Sequence, residues 1–264
     1  MGAEVAIDTQ SSVWPRTRAW AVHAYTASGA AIALLIVLAA LSGETVTALW
    51  LMLAALIIDG TDGMLARKAK VSEWLPQFDG ARLDDIVDYL TYAFAPVLLL
   101  WIGGYLPEGT AGIVLASVPL LASSYQFCRV DAKTEDPLFL GFPSYWNVVS
   151  FYTVVLDLGT TALTIILLVC SALVFVPIGY VYPSRTVTLR TLTLVLSAAW
   201  LVAYAVALTQ MPNPSAVVMS VSLGYLVYYI GLSLYLTTRR RAGSEEHPRE
   251  FRTPAPAAPA SGPE

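Results

Sequence analysis

Four aspartates in the first half of the chain form two pairs with helical spacing. Asp59 and Asp62 are three residues apart, and Asp84 and Asp88 are four apart. Either spacing places both carboxylates of a pair on one face of a helix. Ligand sets made only of oxygen select hard divalent cations, Mg²⁺ or Mn²⁺, over soft ones. Because a pair of divalent ions suits phosphoryl chemistry, the aspartates predict a metal-assisted transfer at phosphorus.

The helix faces that carry these carboxylates also carry small residues. Gly63 and Ala66 follow Asp59 by four and seven residues, and Gly80 precedes Asp84 by four. Residues at these spacings lie on the same face of a helix. We therefore expect room beside the carboxylates for a ligand that bears phosphate.

The segment that contains the four aspartates resembles the signature of the CDP-alcohol phosphotransferases, D-x2-D-G-x2-A-R followed by G-x3-D-x3-D. Twelve residues separate the two halves, more than in most members, and this is similar to the bacterial phosphatidylcholine synthase branch. The stretches AVHAYTASG, KTEDPLFLGFPSYWN and FVPIGYVYPSR resemble the same branch. The matching motif positions are Asp59, Asp62, Gly63, Ala66, Arg67, Gly80, Asp84 and Asp88.

The resemblance implies a role for each motif residue. Asp59, Asp62 and Asp84 are expected to bind Mn²⁺ or Mg²⁺, as two ions. Asp88 is expected to act as the catalytic base and to contribute to the metal site. The expected donor is CDP-diacylglycerol, with CMP as the leaving group. The residues expected to bind it are Gly63, Ala66, Arg67 and Gly80.

The composition is that of a membrane protein. Of 264 residues 56% are hydrophobic and 13% are charged, and mean hydropathy is +0.63. The net charge of -4 argues against a nucleic-acid partner. The expected fold is all-α, a polytopic bundle of about eight transmembrane helices. Their predicted positions are 20–42, 46–66, 83–104, 110–128, 144–157, 160–181, 189–209 and 214–237.

The positive charges indicate the orientation of this bundle. With eight spans, all 15 Lys and Arg residues fall on one side of the membrane. The positive-inside rule makes that side cytoplasmic, together with both termini and the aspartates. We expect an N-terminal segment at 1–19, a membrane domain at 20–238 and a disordered tail at 239–264. The expected location is the bacterial inner membrane, with the active site facing the cytoplasm.

The resemblance to the synthase branch implies choline as the acceptor. A quaternary ammonium group binds to aromatic faces and to anions. An interfacial belt of Trp and Tyr would give the same composition without any role in binding. The candidate acceptor residues are Tyr25, Tyr89, Tyr92, Tyr145, Trp146 and Glu135.

Other functions remain open at this level. The acceptor could be serine, inositol or glycerol phosphate, and another class of protein, a divalent-cation transporter, also carries carboxylates within the membrane. The clustering of the aspartates at one end of the bilayer argues against a transporter. All motif aspartates are present, which argues against a non-catalytic lipid-binding relative. Family members often pair, so the resemblance also implies a homodimer.

Four further residues carry structural predictions. His23 is more typical of a hydrogen-bonded helix interface than of a catalyst. Pro96 predicts a kink in the third helix, because proline removes a backbone hydrogen bond. Asp79 and Asp85 lie off the motif face and are expected to be caps or solvated charges.

Overall fold

The computed structural model describes residues 9–131, 138–183 and 186–246, and these are mostly helical. A π-helical turn at Tyr89–Phe94 joins the helix Gly80–Asp88 to the helix Ala95–Ile102 without a break. The remaining elements are α1 (Thr9–Leu41), α2 (Thr45–Ala69), α3 (Val71–Trp74), α4 (Gly80–Asp88), α5 (Ala95–Ile102), α6 (Gly109–Cys128), β1 (Leu138–Leu140), α7 (Trp146–Val155), α8 (Thr160–Leu173), β2 (Gly179–Val181), α9 (Arg190–Thr209) and α10 (Ala216–Glu246).

Within the described ranges, six helical stretches are long and apolar enough to cross a membrane. This confirms an all-α polytopic membrane protein. α7 and α8 occupy the places of the predicted fifth and sixth helices but have only 10 and 14 residues. At about 1.5 Å per residue they are shorter than the ~30 Å hydrocarbon core. The count of eight spans stays a prediction. The six stretches are Trp14–Leu41, Thr45–Ala69, Gly80–Ile102, Gly109–Cys128, Arg190–Thr209 and Ala216–Arg240.

The predicted helix at 160–181 is wrong at its end, because α8 stops at Leu173. Pro177 lacks a backbone N–H and cannot continue a helix, and Gly179 also weakens one. The chain instead forms β2, which pairs antiparallel with β1. Sequence periodicity alone could not separate this short apolar run from the helix before it.

Side chains of α10 hold β2 in place. The Gly179 N–H donates to Thr237 Oγ1 at 2.8 Å, and the Val181 N–H donates to Ser233 Oγ at 3.0 Å. Thr237 and Ser233 are four residues apart, so they lie on one face of α10. The strand therefore lies along this helix, and Tyr180 is positioned between the two bonds.

The interruption predicted between the fifth and sixth helices is confirmed. Asp157 lies between α7 and α8 with φ of 48°, in the left-handed region. Asp is one of the few residue types enriched in that region outside glycine. The chain can thus reverse direction within a few residues.

The distortion predicted at Pro96 takes the form of the π-helical turn directly before it. Proline offers no N–H to the carbonyl four residues earlier, and π turns often occur where the regular pattern is broken. The turn contains Tyr92 and directly follows Asp88, so it sets the positions of these two residues relative to each other.

α1 packs closely against α4 through a glycine. A Cβ added at Gly29 would lie 2.5 Å from Val87 Cγ1. Real Cβ atoms are not found at that distance, so only glycine permits this approach. Small residues at such contacts are typical of packed membrane helices. The contact brings α4 and its aspartates against α1, which also packs on α2.

Candidate active site

The structure brings together three of the four motif aspartates. One carboxylate oxygen each from Asp59, Asp84 and Asp88 lies within 4.8 Å of the others. Asp59 comes from the second half of α2, and the other two come from α4. Three like charges this close repel one another, and a divalent cation between them would offset that repulsion. The donor set of oxygens fits Mg²⁺ or Mn²⁺.

Asp62 lies beside this group but is held differently. Its side chain is buried, and its Oδ2 accepts a hydrogen bond from Thr26 Oγ1 at 2.7 Å. Thr26 belongs to α1, so this bond also ties α1 to α2. A single hydroxyl donor leaves other lone pairs of the carboxylate available for a ligand.

Two cavities meet at the aspartates. A small one is lined by all four, together with Thr26 and other residues of α1, α2 and α4. A large cavity of about 1440 Å³ is lined by Asp59, Asp62 and Asp84 but not by Asp88. Asp88 therefore faces the small cavity alone, while the other three border both.

The predicted donor-binding residues all line the large cavity. They come from the end of α2 and the start of α4, next to the aspartates, and they are Gly63, Ala66, Arg67 and Gly80. Gly80, however, packs directly against another side chain of the protein, that of His23. A Cβ there would lie 2.7 Å from His23 Cε1. Gly80 is therefore small enough to accommodate His23.

His23 occupies the interface between α1 and the start of α4. Its side chain is 6% exposed, and its ring lies 4.4 Å from the ring of Phe78, centroid to centroid. The predicted interface position is confirmed. Among the described residues, however, Nε2 has no hydrogen-bond partner.

Asp79 is a helix cap as predicted, because its side chain accepts a hydrogen bond from the Arg82 N–H at 3.0 Å.

The predicted acceptor residues divide into two groups. Tyr92 and Tyr145 line the large cavity, and the Tyr92 hydroxyl donates to Asp59 Oδ2 at 2.5 Å. Tyr25 bonds to Thr61, Tyr89 to the Leu120 carbonyl, and the Trp146 indole to Ser123. These three are not among the described residues that line the cavity. Glu135 lies outside the described residues.

Sequence reasoning missed a second set of aromatic residues in the cavity. Burial raises the pKa of one of them, Tyr180, to about 12. Two features of the sequence could have identified some of them. Tyr180 lies in the stretch FVPIGYVYPSR, and Tyr225 and Tyr229 are four residues apart. The additional aromatic lining residues include Phe142, Tyr152, Tyr180, Tyr182, Trp200, Tyr225 and Tyr229.

The large cavity continues from the aspartates into apolar surroundings. Its walls there come from α8, α9 and α10. Among the residues that line them are Ile166, Leu194, Leu201, Leu226 and Ile230. A ligand with a polar head and apolar chains would match both the polar end of the cavity at the aspartates and its apolar walls.

The chain is similar to several curated bacterial proteins over most of its length. No family model matches it. A phosphatidylcholine synthase of Borreliella burgdorferi is 36% identical over 225 residues, which is 84% of this chain and 96% of the relative. Those of Legionella pneumophila and Pseudomonas aeruginosa are 39% and 36% identical, over 83% and 86% of this chain and 88% and 95% of the relatives.

An alignment that spans 84% of this chain necessarily includes the motif, the two short helices α7 and α8, and α9. The chain belongs to the phosphatidylcholine synthase family.

Proposed function

We propose that this protein transfers the phosphatidyl group of CDP-diacylglycerol to choline and releases CMP. The observation that carries the proposal is the convergence of the Asp59, Asp84 and Asp88 carboxylates beside a cavity with polar and apolar parts, in a chain of this family. The motif further supports membership of the wider CDP-alcohol phosphotransferases.

The reaction is a substitution at one phosphorus. The choline oxygen forms a bond to the phosphorus that carries diacylglycerol, and the bond from that phosphorus to the oxygen of CMP breaks. The hydroxyl proton passes to a base, for which we propose Asp88. An alcohol is a weak nucleophile at neutral pH, so removal of this proton is needed for attack. The bonding electrons leave with CMP, and phosphatidylcholine remains.

The four aspartates would hold two divalent ions, Mn²⁺ or Mg²⁺. Asp59, Asp62 and Asp84 are the proposed ligands, and Asp88 contributes from the small cavity. Bound ions neutralise the pyrophosphate and stabilise the leaving phosphate. Thr26 orients Asp62, and Tyr92 donates to Asp59, so both carboxylates are fixed by neighbours before any ligand binds.

For the donor, we propose that Gly63, Ala66, Arg67 and Gly80 contact the cytidine diphosphate part. Glycine and alanine let a ligand approach the helix backbone. Arg67 can bind phosphate through its guanidinium group. The apolar walls from α8, α9 and α10 suit the acyl chains of the same lipid.

For the acceptor, we propose contacts with Tyr92 and Tyr145. Their position beside Asp59 supports this, because it places an aromatic surface next to the reacting centre. Tyr25, Tyr89, Trp146 and Glu135 remain candidates from the sequence alone.

We also propose that the protein lies in the bacterial inner membrane with eight spans. Both termini and the aspartates would then face the cytoplasm, where the nucleotide-activated donor is available. A homodimer is expected from the family resemblance, and light scattering of the purified protein in detergent would measure it.

The proposal is tested by CMP release from CDP-diacylglycerol in detergent with Mn²⁺. Choline, serine, inositol and glycerol 3-phosphate are each supplied alone. We expect release with choline only. Release with a different alcohol would contradict choline as the acceptor. No release with any of the four alcohols from folded protein would contradict the proposed activity.

A further inference from the structure

Five tyrosines from distant parts of the chain converge in the large cavity. Tyr92 lies in the π-helical turn, Tyr145 directly precedes α7, Tyr180 lies in β2, and Tyr225 and Tyr229 lie on α10. All five line the cavity. We call this set the tyrosine cluster. Its convergence cannot be read from the sequence, because the residues span nearly 140 positions.

The rings of the cluster form a connected aromatic surface. Ring centroids lie 5.8 Å apart for Tyr92 and Tyr145, and 6.2 Å apart for Tyr145 and Tyr229. Tyr229 is also 6.4 Å from Tyr180 and 6.3 Å from Tyr225. Tyr229 is thus the member with most neighbours, and Tyr145 connects it to the reacting centre through Tyr92.

Hydrogen bonds fix the rings in position. Tyr225 shares a hydrogen bond with Ser197 at 2.8 Å, and the Tyr229 hydroxyl donates to the Val181 carbonyl at 3.1 Å. The Tyr92 hydroxyl is held by Asp59. Rings that are already fixed lose little freedom when a ligand binds to their faces, which favours binding.

An interfacial belt does not account for these residues. Belt aromatics face the lipid headgroups at the surface of the bundle, whereas Tyr92, Tyr180 and Tyr229 are each at most 8% exposed. They border the large cavity instead. An aromatic face that borders the cavity would present the negative part of its quadrupole to a ligand there.

Charge separates the two ends of the cavity. Among the described lining residues, the only arginine and lysine are Arg67, in the last turn of α2, and Lys70, which directly follows this helix. The elements that carry the tyrosine cluster contribute no basic residue to the described lining. The α2 end therefore suits a phosphate group, and the cluster suits a cation without hydrogen-bond donors.

We propose that the tyrosine cluster binds the quaternary ammonium group of the acceptor alcohol, with Tyr145 and Tyr229 at its centre and Tyr180 and Tyr225 as further walls. The inference rests on the proposed function. It adds three residues to the acceptor site and gives a reason for selectivity. Ring faces attract a methylated cation, whereas an ammonium with N–H groups would lose its hydrogen bonds to water there.

The order of acceptors follows from this site. With the wild-type enzyme we expect KM to rise from choline to dimethylethanolamine, monomethylethanolamine and ethanolamine. Tetramethylammonium, which has the cation but no hydroxyl, should compete with choline and not with CDP-diacylglycerol. Equal KM values along the series, or no competition by tetramethylammonium, would overturn the proposal.

Substitutions at Tyr229 test the same site within the full chain. Tyr229→Leu removes the ring and should raise the KM for choline about tenfold while leaving that for CDP-diacylglycerol unchanged. Tyr229→Phe keeps the ring and should change the KM for choline by about threefold at most. Tyr235→Leu is the matched control, since Tyr235 lies on the same helix but is 53% exposed and outside the described cavity lining.

Direct binding separates failure of this inference from failure of the proposed function. Titration of wild type and Tyr229→Leu with tetramethylammonium, followed by calorimetry, needs no turnover. Weaker binding to the variant supports the site even if no alcohol releases CMP. Equal binding overturns it even if choline is the substrate. If Tyr229→Leu fails to fold, Tyr225→Leu takes its place in both measurements.

Discussion

At the scale of single residues, the carboxylates of Asp59, Asp84 and Asp88 approach one another although they carry like charges. The local spacing was enough to predict that each pair shares a helix face and suits a hard cation, because three- and four-residue steps define such a face. The role expected of each aspartate came from the family resemblance. Their mutual approach needed the packing of both α2 and α4 against α1. The tyrosine cluster was largely missed, because its members come from elements whose meeting no local pattern reveals.

Asp88→Asn tests the proposed base. Because Asn cannot accept the hydroxyl proton, we expect turnover to fall about 10²- to 10⁴-fold. CDP-diacylglycerol binding should persist. CMP release and donor binding are measured in parallel, with Asp85→Asn as the neighbouring control. Loss of donor binding together with turnover would make Asp88 mainly a metal ligand, in line with its position in the small cavity.

Gly80→Ala tests the contact with His23. The added Cβ would lie 2.7 Å from His23 Cε1, and Phe78 limits how far the ring can move. We expect a loss of about 1–3 kcal/mol in the free energy of unfolding, which is typical of overpacking. Thermal denaturation in detergent measures it.

The matched control for this variant is Gly60→Ala on α2. A Cβ at Gly60 meets nothing within 4 Å, so stability should be unchanged or slightly higher. His23→Ala should restore much of the stability lost by Gly80→Ala. A double variant as unstable as the single one would show that His23 is not the reason for glycine here.

At the scale of elements, the arrangement of α1, α2 and α4 determines the geometry of the site. The helices were predicted from apolar runs, but α1 begins at Thr9 and not near residue 20, and α10 continues to Glu246 and not only to residue 237. The end of α8 was predicted wrongly, because β2 is defined by hydrogen bonds to Ser233 and Thr237 far along the chain. Such tertiary partners override local preference.

Gly29→Ala tests whether the packing of α1 on α4 sets the metal site. The new Cβ would meet Val87 Cγ1 at 2.5 Å, and valine has little freedom to rotate away. We expect α4 to shift, so that a higher Mn²⁺ concentration is needed for half-maximal CMP release. Val87→Ala should compensate. Gly231→Ala on α10, where a Cβ meets nothing within 4 Å, is the control. An unchanged Mn²⁺ requirement in Gly29→Ala would contradict this role of the packing.

At the scale of the whole molecule, the positive-inside pattern predicts a cytoplasmic site. This prediction depends on which of the helices cross the membrane. The predicted topology depends most on α7 and α8, because their lengths fall short of a full bilayer. Asp157, between them, is exposed and would lie on the outer side in an eight-span topology.

Labelling of single cysteines in spheroplasts tests that topology. With a membrane-impermeant maleimide, Asp157→Cys and Glu108→Cys should be labelled, because both lie in predicted outer loops. Glu73→Cys, in the predicted cytoplasmic segment between the second and third spans, should react only after lysis. The unsubstituted protein gives the background from Cys128 and Cys170. Protection of Asp157→Cys with labelling of Glu108→Cys would mean that α7 and α8 do not cross the membrane.

The central claim is that the aspartate cluster transfers a phosphatidyl group to choline. Its most direct measurement follows deuterium-labelled choline by mass spectrometry, with CDP-diacylglycerol, Mn²⁺ and either the wild type or Asp84→Asn. We predict labelled phosphatidylcholine and CMP in equal amounts from the wild type, and neither from the variant. Label that never enters lipid, or equal incorporation by Asp84→Asn, would contradict the account.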